Sequence, residues 1–504
     1  MSENLYSLMQ SRIADPAKTF IDAGHAGLYS YGDLDSRSAR FARVLRNLGV
    51  EPGDRVAAQV EKSPEAILLY LACFRVGAVY LPLNTGYTAK ELAYFLGDAE
   101  PRLAVCDPAR REAFRTLTAE AGVACLETLD GEGKGSLTEK VDAAAPSPEI
   151  VPRQSDDLAA ILYTSGTTGR SKGAMLTHAN LTSNALALAD IWRFSADDVL
   201  LHALPIFHTH GLFVATNICL LTGASMLFLP RFDLAQVLAL LPRATSMMGV
   251  PTFYSRLLSS PDFTRDLVAH MRVFISGSAP LSPEVHKAFQ ARCGHAILER
   301  YGMTETSMNS SNPYDGERRP GTVGFPLPDV EIRIADVKSG AVLPKGEVGS
   351  IEIRGPNVFK GYWRMPEKTA SEFRDDGFFV SGDLGMFDER GYLMIVGRDK
   401  DLIISGGFNV YPAEVEAAID ALEGVAESAV IGLPHADFGE AVTAIVVPSA
   451  AGAPAEESVR KALEPVLAKY KIPKRVLTVD SLPRNSMGKV QKKQLRETYA
   501  KTYA

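Results

Sequence analysis

The sequence predicts an α/β fold: a large N-terminal domain of mixed, mostly parallel sheets with flanking helices and a smaller β subdomain, then a small, mobile α+β C-terminal domain. Three observations support this prediction. The chain has 504 residues, which is more than one compact core normally holds. Strand-like apolar runs alternate with helical periodicity over most of the chain. From about Glu347 the pattern changes to short strands in which apolar and polar residues alternate.

Strand and helix signals alternate in the N-terminal part. The strand-like RVAAQV is followed by SPEAILLYLACFRVG, which has helical periodicity, and then by the strand-like AVYLPL. Further apolar runs of strand length are RLAVC, MLFLP, SMMGVP and RVFISG. Strands that alternate with helices favour parallel sheets with crossover connections. The stretch from Gly131 to Asp157 is rich in Gly, Pro and Ser and predicts a surface connection rather than a domain boundary.

The C-terminal part has a different pattern. GSIEIRG and GYLMIVG predict a smaller, partly antiparallel sheet. After GRDKDLIISGGFNVYP come a helix (AEVEAAIDAL), two strands (AESAVIGLP and EAVTAIVVP), a helix (EESVRKALEPVLAKY) and a basic tail. This compact α+β unit is long enough to fold alone. We place the domain boundary at Lys400, which gives domains of residues 1–399 and 400–504.

Composition excludes several classes of partner. The chain has 53 basic and 60 acidic side chains and a net charge of −7, so it offers no overall basic surface for nucleic acid. The N-terminal MSENLYSLMQSRIADP lacks the features of a secretory signal, and no apolar run is long enough for a membrane span. We therefore expect no membrane association and a cytoplasmic location. Five cysteines without metal-binding spacing predict buried thiols: Cys73, Cys106, Cys125, Cys219 and Cys293.

One polar stretch, YTSGTTGRSKG at residues 163–173, follows the apolar run from Leu158 to Leu162. Glycines let backbone amides approach an anion, while hydroxyls and a lysine add donors and charge. This composition predicts a loop that binds phosphate, with a plain solvated turn as the alternative. The spacing excludes the Walker motif, because Ser171 stands where the second glycine should be and Gly173 where the hydroxyl should be.

Six motifs in order give a more specific prediction: YTSGTTGRSKG, FISGSAPL, ERYGMTET, SGDLG, GRDKDLIISGGFNVYP and PRNSMGKVQK. Together they resemble the acyl-adenylate-forming superfamily of acyl-CoA synthetases, firefly luciferase and peptide-synthetase adenylation domains. LPIFHTHGLF, MGVPTFYSRLL, NPYDGERRPGTVG and PNVFKGYWRMPEKT further resemble the malonyl-CoA synthetases. The resemblance implies an ATP-dependent malonate–CoA ligase that needs ATP, Mg²⁺ and coenzyme A.

The resemblance also implies which residues bind the cofactors. The loop from Thr164 to Lys172 is expected to close on the β and γ phosphates. Tyr301 is expected to stack near the adenine, opposite a wall formed by residues 277–280. Asp383 and Arg398 match the ribose contacts. The full implied set is Thr164, Ser165, Gly166, Thr167, Thr168, Gly169, Lys172, Gly277, Ser278, Ala279, Pro280, Glu299, Arg300, Tyr301, Gly302, Met303, Asp383, Arg398, Gly406 and Gly407.

Four residues are implied to be catalytic: Lys489, Thr304, Glu305 and His208. Lys489 would bridge the attacking carboxylate and the α-phosphate, to which Thr304 would also bond. Glu305 would hold Mg²⁺, a hard ion that prefers oxygen ligands, together with Thr167. Taken without the resemblance, Lys489 could be one solvated lysine among several.

Two half-reactions at one site require movement. In the family that the sequence resembles, the C-terminal domain rotates about a hinge, and Lys400 matches the hinge residue. The resemblance implies that Gly406 and Gly407 then face the active site and leave room for the pantetheine arm. Family members also have the catalytic lysine silenced by acetylation, so a lysine acetylation enzyme that acts on Lys489 is a possible partner.

The acid substrate depends on fewer residues: His208, Arg256 and Ser278. His208 follows Phe207 where amino-acid-activating relatives have an aspartate, which argues against an amino acid. Arg256 lies on a helix that Pro251 should open, and a buried guanidinium there would pair with a dicarboxylate. In that case Arg256→Ala should cost roughly 2 to 5 kcal/mol in transition-state binding. Helix periodicity alone leaves open that Arg256 points to solvent.

Alternatives to malonate remain at this point. Other short acids, namely methylmalonate, propionate and acetate, differ from malonate by one or two small groups. A second alternative is an enzyme that loads the acyl group onto a carrier protein. A third is an inactive adenylate-binding protein, which Lys489, Glu305 and the glycine-rich loop argue against.

Overall fold

The computed structural model describes residues 3–164, 171–449, 452, 454–485 and 488–503. Strands are numbered in chain order: β1 (Thr19–Asp22), β2 (Leu28–Ser30), β3 (Arg55–Gln59), β4 (Val79–Pro82), β5 (Leu103–Cys106), β6 (Cys125–Thr128), β7 (Leu158–Thr164), β8 (Lys172–Thr177), β9 (Val199–His202), β10 (Ser225–Phe228), β11 (Ser246–Gly249), β12 (Val273–Ser276), β13 (Leu298–Met303), β14 (Ser307–Ser311), β15 (Phe325–Pro326), β16 (Glu331–Ala335), β17 (Gly349–Arg354), β18 (Phe379–Phe387), β19 (Leu393–Arg398), β20 (Ile403–Ser405), β21 (Phe408–Val410), β22 (Val425–His435), β23 (Gly439–Pro448) and β24 (Arg475–Thr478).

The α-helices are numbered in the same way: α1 (Leu5–Ser11), α2 (Tyr31–Asn47), α3 (Pro64–Val76), α4 (Ala89–Ala99), α5 (Arg111–Glu120), α6 (Ser136–Ala143), α7 (His178–Ile191), α8 (Asn217–Thr222), α9 (Leu234–Leu240), α10 (Pro251–Leu258), α11 (Arg265–Val268), α12 (Pro283–Cys293), α13 (Pro366–Ser371), α14 (Pro412–Asp420), α15 (Glu456–Leu463) and α16 (Lys492–Thr498). A π-helical segment spans His210–Thr216, immediately before α8.

Two large sheets form the core of the N-terminal part. One has the strand order β6-β5-β3-β4-β7-β8 and is parallel except for β7 and β8. The other has the order β15-β14-β13-β12-β11-β9-β10-β1-β2 and is parallel from β13 to β1. Every residue of α3 is buried, since it packs in the main hydrophobic core. Parallel sheets with crossover helices are therefore confirmed.

Two smaller sheets follow. Strands β16 to β19 form a four-stranded antiparallel sheet, as the alternating runs predicted. Residues beyond Arg398 form a separate sheet, β21-β20-β23-β22, to which β24 adds in parallel. The predicted helix over EESVRKALEPVLAKY is shorter than expected and ends at Leu463, because Pro465 cannot donate a helical hydrogen bond. The domain boundary at Lys400 stays a prediction.

The structure bears on two of the expectations drawn from composition, those for the cysteines and for membrane helices. All five cysteines are free thiols, and all but Cys125 are buried. Among the residues that the structure describes, we find no helix with the length and apolar character that crossing a membrane requires.

Candidate active site

The candidate site lies at one edge of the nine-stranded sheet. Strands β9, β11, β12 and β13 are neighbours and run parallel, so their carboxyl ends meet there. Ligand sites of parallel α/β sheets form at this edge. The segments that leave it are residues 203–210, the start of α10, residues 277–280 and the turn between β13 and β14, which holds Thr304 and Glu305. The structure thus brings four sequence-predicted segments together.

A carboxylate with two partners marks the predicted ribose end. Asp383 and Arg398 face each other in the register of β18 and β19, and Arg398 Nε lies 3.0 Å from Asp383 Oδ1. The Tyr301 hydroxyl donates to Asp383 Oδ2 over 2.6 Å. The charge of Asp383 holds the pKa of Arg398 above its usual range. The sequence placed these three residues around one nucleoside, and their contacts with ribose and adenine stay predictions.

A buried arginine lies at the other end of the site. Arg300 is 4% exposed, and its Nε and Nη2 groups find no hydrogen-bond partner in the part of the chain that the structure describes. Burial lowers the pKa of Arg300 to about 9. A side chain at Gly277 would collide with this guanidinium unless the guanidinium shifted. The sequence assigned Arg300 to the cofactor, and the structure shows an uncompensated buried cation.

Two neutral histidines accompany Arg300. The backbone N–H of His210 donates to His208 Nδ1 over 3.2 Å, and His210 Nδ1 lies 3.2 Å from Ser278 Oγ. Burial, together with the charges of Lys489 and Arg300, lowers the pKa of His208 to about 3. Burial and Arg300 also lower the pKa of His210, whose Nε2 has no partner within the described residues.

Ser278 adopts a backbone conformation that favours glycine, with φ of +70°. Strained backbone of this kind clusters at functional sites. We call Arg300, His208, His210 and Ser278 the acid pocket. The sequence predicted His208 and Ser278 as substrate contacts but missed His210, for which the second histidine of FHTH was the available signal.

The predicted magnesium ligand, Glu305, is buried and lies against two hydroxyl groups. Its Oε1 accepts from Thr164 Oγ1 at 3.4 Å and from the Tyr362 hydroxyl at 3.1 Å. Burial raises the pKa of Glu305. A carboxylate among hydroxyls fits a hard cation, and Mg²⁺ commonly takes one or two protein carboxylates and completes its shell with phosphate oxygens and water. No cluster of three metal-ligating side chains occurs within the described ranges.

Lys172 has a partner that the sequence did not indicate. It is 7% exposed, its Nζ lies 3.0 Å from Glu372 Oε1, and it lies over the Tyr362 ring at 4.0 Å. Tyr362 also donates to Glu372 Oε2 over 2.6 Å. Lys172 is therefore built into an ion pair, and its contact with phosphate stays a prediction. Ser165, Gly166, Thr167, Thr168 and Gly169 lie outside the described residues.

Lys489 lies between the two ends of the site. Its backbone N–H donates to Asn485 Oδ1 over 3.0 Å, and the preceding Gly488 lies next to Thr252 of α10. Although much of the side chain is exposed, burial around the ammonium and the charge of Arg398 together lower its pKa to about 8. Asp383 and Glu305 act in the opposite direction. The C-terminal lysine thus reaches the residues that the N-terminal segments supply.

Arg256 does not have the environment that the sequence argument gave it. Pro251 does open α10, as predicted, but Arg256 is exposed on that helix and its guanidinium lies 5.8 Å from the centre of the Phe232 ring. Phe253, Tyr254 and Leu257 fill the core instead, so the structure shows the solvent-facing orientation that helix periodicity left open. The contact of Arg256 with the acid stays a prediction.

The remaining predicted residues occupy different places. Glu299 is buried, 3.1 Å from His286 Nδ1, and so faces α12. Gly302 and Met303 end β13, and Ala279 and Pro280 continue the turn after Ser278. Gly406 and Gly407 form the exposed turn between β20 and β21, and Lys400 lies exposed in the 3₁₀ turn Asp399–Asp401. The two glycines are on the surface in this arrangement.

Comparison with known proteins decides the family. The AMP-binding enzyme family matches residues 12–363, and the C-terminal domain of AMP-binding enzymes matches residues 414–489. The chain belongs to the AMP-binding enzyme family. This membership confirms the predicted superfamily and the fold class.

The names of individual members of the AMP-binding family give different acid substrates. The chain is 37% identical over 489 residues to a feruloyl-CoA synthase of Amycolatopsis sp, with 96% of each chain covered. It is 34% identical to a malonate–CoA ligase of Arabidopsis thaliana, with 93% of this chain and 84% of that protein covered. The crystal structure of ATP-bound MatB from Rhodopseudomonas palustris is 58% identical over all of both chains, with a TM-score of 0.98.

The same MatB protein without ligand gives a TM-score of 0.87. The arrangement of the present AMP-binding enzyme therefore resembles that of ATP-bound MatB more closely than that of apo MatB. In this arrangement Lys489 lies beside Asp383, Arg398 and Glu305.

Proposed function

We propose that this protein is a malonate–CoA ligase. Malonate and ATP give malonyl-AMP and pyrophosphate, and malonyl-AMP and coenzyme A then give malonyl-CoA and AMP. The chain is an adenylate-forming acid–CoA ligase that uses ATP, Mg²⁺ and coenzyme A. The choice of malonate is the specific part of the proposal.

The burial of the unpaired Arg300 guanidinium is the observation that favours malonate as the acid. A buried guanidinium with two unpaired donors is costly, and a carboxylate is the group that pairs with it best. Malonate has two carboxylates, so one can react while the other binds Arg300. The neutral His208 and His210 add polar contacts without a second charge, which suits a monoanionic end group.

The adenylation step follows from the placement of Lys489 and Glu305. The Lys489 ammonium lies near enough to His208 to lower its pKa and also near Asp383 and Arg398, so it spans the acid pocket and the nucleoside end. A cation in that position neutralises charge on the attacking carboxylate and the α-phosphate as the new bond forms. Mg²⁺ held by Glu305 would stabilise the phosphates and the leaving pyrophosphate.

The thioester step requires a second arrangement. We propose that the domain of residues 400–504 rotates against residues 1–399 about Lys400. This residue lies in the short turn between β19, the last strand of the four-stranded sheet, and β20 of the C-terminal sheet. The exposed turn at Gly406 and Gly407 would then face the site and leave space for the pantetheine arm of coenzyme A. The exposure of Lys489 on its loop also makes it accessible to an acetylating enzyme, which would remove its charge.

Aromatic acids are the alternative that the feruloyl-CoA synthase relative raises. Ferulate has one carboxylate, and its ring would leave the Arg300 donors unpaired. Methylmalonate keeps both carboxylates, and one extra methyl group changes discrimination by only about 1 to 3 kcal/mol. Propionate and acetate lack the second carboxylate. Transfer to a carrier-protein thiol instead of coenzyme A stays a further alternative.

The test is pyrophosphate release with ATP and coenzyme A for malonate, methylmalonate, propionate, acetate and ferulate at equal concentrations. We expect the highest kcat/KM for malonate, methylmalonate second, and the monocarboxylates near background. A preference for ferulate or propionate would reject malonate while leaving the adenylation mechanism intact. Replacing coenzyme A by a phosphopantetheinyl carrier protein tests the last alternative.

A further inference from the structure

A buried lysine outside the predicted site is connected to the acid pocket. Lys62 follows β3 in the six-stranded sheet and is 6% exposed. Its Nζ lies 2.9 Å from His202 Nδ1 and donates to the His202 carbonyl over 2.8 Å. It also lies 4.2 Å from the centre of the Phe228 ring. Lys62 therefore joins the six-stranded sheet to the carboxyl end of β9, the strand that leads into the acid pocket.

The next connection runs from His202 to the π-helical segment. His202 is 1% exposed, and its Nε2 lies 2.9 Å from the carbonyl oxygen of Gly211. A carbonyl can only accept, so Nε2 carries the proton. In a neutral imidazole the other nitrogen is then an acceptor, and it is the atom that Lys62 faces. Burial and the Lys62 charge both lower the pKa of His202, which keeps the ring neutral.

The segment that begins at His210 is geometrically demanding. It continues the chain from His208 with π-helical rather than α-helical hydrogen bonding, a geometry that is rare and often found at functional sites. A side chain at Gly211 would collide with the Pro205 carbonyl, so the preceding loop folds tightly against the segment. The Gly211 carbonyl accepts two hydrogen bonds, from His202 and from Thr216 Oγ1 at 2.9 Å. These bonds fix the segment that carries His210 and, two residues before it, His208.

We propose that Lys62 and His202 are positioning residues for the acid pocket: Lys62 fixes the tautomer of His202, and His202 holds the Gly211 carbonyl so that His208 and His210 face Arg300. Neither residue touches the reacting atoms. Their effect is on binding of the acid, and binding of ATP is unaffected because Asp383, Arg398 and Glu305 belong to other elements. The inference uses the acid pocket of the proposed function, but it holds for whichever acid the enzyme prefers.

The proposed role of His202 predicts different effects for two substitutions of this residue. His202→Gln keeps an N–H donor near the place of Nε2 and so keeps the bond to Gly211. His202→Asn places its polar group near Nδ1 and so keeps a contact with Lys62 but loses the bond to Gly211. We expect His202→Asn to raise KM for the acid about tenfold or more and His202→Gln to raise it less than about threefold. KM for ATP should change by less than about twofold in both.

A double-mutant cycle tests the role of Lys62. Lys62→Met frees the tautomer of His202 and should raise KM for the acid about tenfold. A glutamine has no tautomer to fix, so adding Lys62→Met to His202→Gln should have little further effect on KM. His178→Gln is the matched control, since His178 is also fully buried with a backbone partner, Leu5 N–H, and lies on α7. The control should lower the melting temperature without changing KM for the acid.

The measurements are KM for the preferred acid, KM for ATP and the melting temperature of each full-length variant. Lys62→Met and His202→Asn variants that lose only thermal stability would overturn the proposal. So would equal effects of His202→Asn and His202→Gln, or fully additive effects in the cycle. If Lys62→Met does not fold, the two His202 variants still decide the question. If malonate is not the preferred acid, the proposed function fails. The difference between the effects on KM for the acid and on KM for ATP can still be measured with whichever acid is preferred.

Discussion

The two ends of the active site differ in how their charges are balanced. At the nucleotide end, Asp383 pairs with Arg398 and Tyr301, and Lys172 pairs with Glu372. In the acid pocket, Nε and Nη2 of Arg300 and Nε2 of His210 have no hydrogen-bond partner in the described part of the chain. Buried polar groups are normally satisfied, so an unsatisfied one requires an explanation. On the proposed function, the protein itself pairs the charges of the nucleotide end, whereas the acid substrate completes the acid pocket.

The largest effect is expected where both ends meet. Lys489→Ala removes the cation that lies between them, and we expect the rate of pyrophosphate release to fall roughly 100- to 1,000-fold. If the C-terminal domain rotates for the second half-reaction as proposed, that step does not use this cation, and formation of malonyl-CoA from supplied malonyl-AMP should fall far less. Rapid-quench assays of the two half-reactions measure this difference. Lys493→Ala, also in the basic C-terminal tail, is the control, and a loss confined to Lys489→Ala supports the assignment.

Removing the unpaired cation tests the acid pocket itself. Arg300→Met keeps much of the volume and removes the charge, and we expect kcat/KM for malonate to fall by about 2 to 5 kcal/mol in free-energy terms. Propionate has no second carboxylate, so its kcat/KM should stay the same or rise. The ratio of the two substrates therefore separates a lost charge pair from general damage. An equal loss for malonate and propionate would contradict the role of Arg300 in acid recognition.

The dependence on pH sharpens the assignment of Lys489. Burial lowers its pKa to about 8, so the ammonium form predominates below that pH and is lost as the pH rises through it. Adenylation needs the cation, so its rate should fall by up to about tenfold per pH unit above the pKa. His208, with a pKa of about 3, stays neutral over this range. In Lys489→Arg the charge persists, and the alkaline decline should disappear from the pH profile.

The pairing at the nucleotide end can be weakened without removing a charge. Tyr362→Phe deletes the hydroxyl that donates to Glu305 and Glu372, and one such hydrogen bond contributes about 1 to 2 kcal/mol. We expect the Mg²⁺ concentration for half-maximal ATP binding, measured by calorimetry, to rise roughly 3- to 10-fold. Tyr392→Phe is the control, because it removes a hydroxyl that donates to the Glu317 carbonyl just before β19. Unchanged Mg²⁺ dependence in Tyr362→Phe would show that Glu305 needs no such support.

The structure brings together the residues that the sequence assigned to the ribose and adenine, Asp383, Arg398 and Tyr301. The order of the motifs along the chain indicated these residues through the family resemblance, since their residue types alone are also typical of ordinary turns. The partners of Lys172 and Glu305 could not be found in this way, because Glu372 and Tyr362 belong to a segment that meets β8 only in the folded chain. Strand and helix alternation predicted the parallel sheets, since that pattern reports which residues face a core.

Arginine was the harder case, because a motif does not show whether a guanidinium is buried. Arg300 stands in LERYGM, a strand whose first four residues are all buried, so alternation gives no warning of a charge inside it. Arg256 stands on an amphipathic helix where the choice between core and solvent depends on one residue of register. The structure buries Arg300 and exposes Arg256, whereas the sequence argument had assigned the acid to Arg256. Burial, rather than presence in a motif, distinguishes the cation that needs an anion.

Arg256→Ala is the smallest predicted effect and the last test of this distinction. An exposed cation is screened by solvent, so its removal should change malonate kcat/KM by less than about 1 kcal/mol, or less than about fivefold. The sequence argument, which assumed a buried pair, expected roughly 2 to 5 kcal/mol. Measuring Arg256→Ala beside Arg300→Met with malonate and propionate separates the two estimates. A large loss with malonate alone would mean that Arg256 turns inward to the second carboxylate, and the acid pocket would then contain two cations.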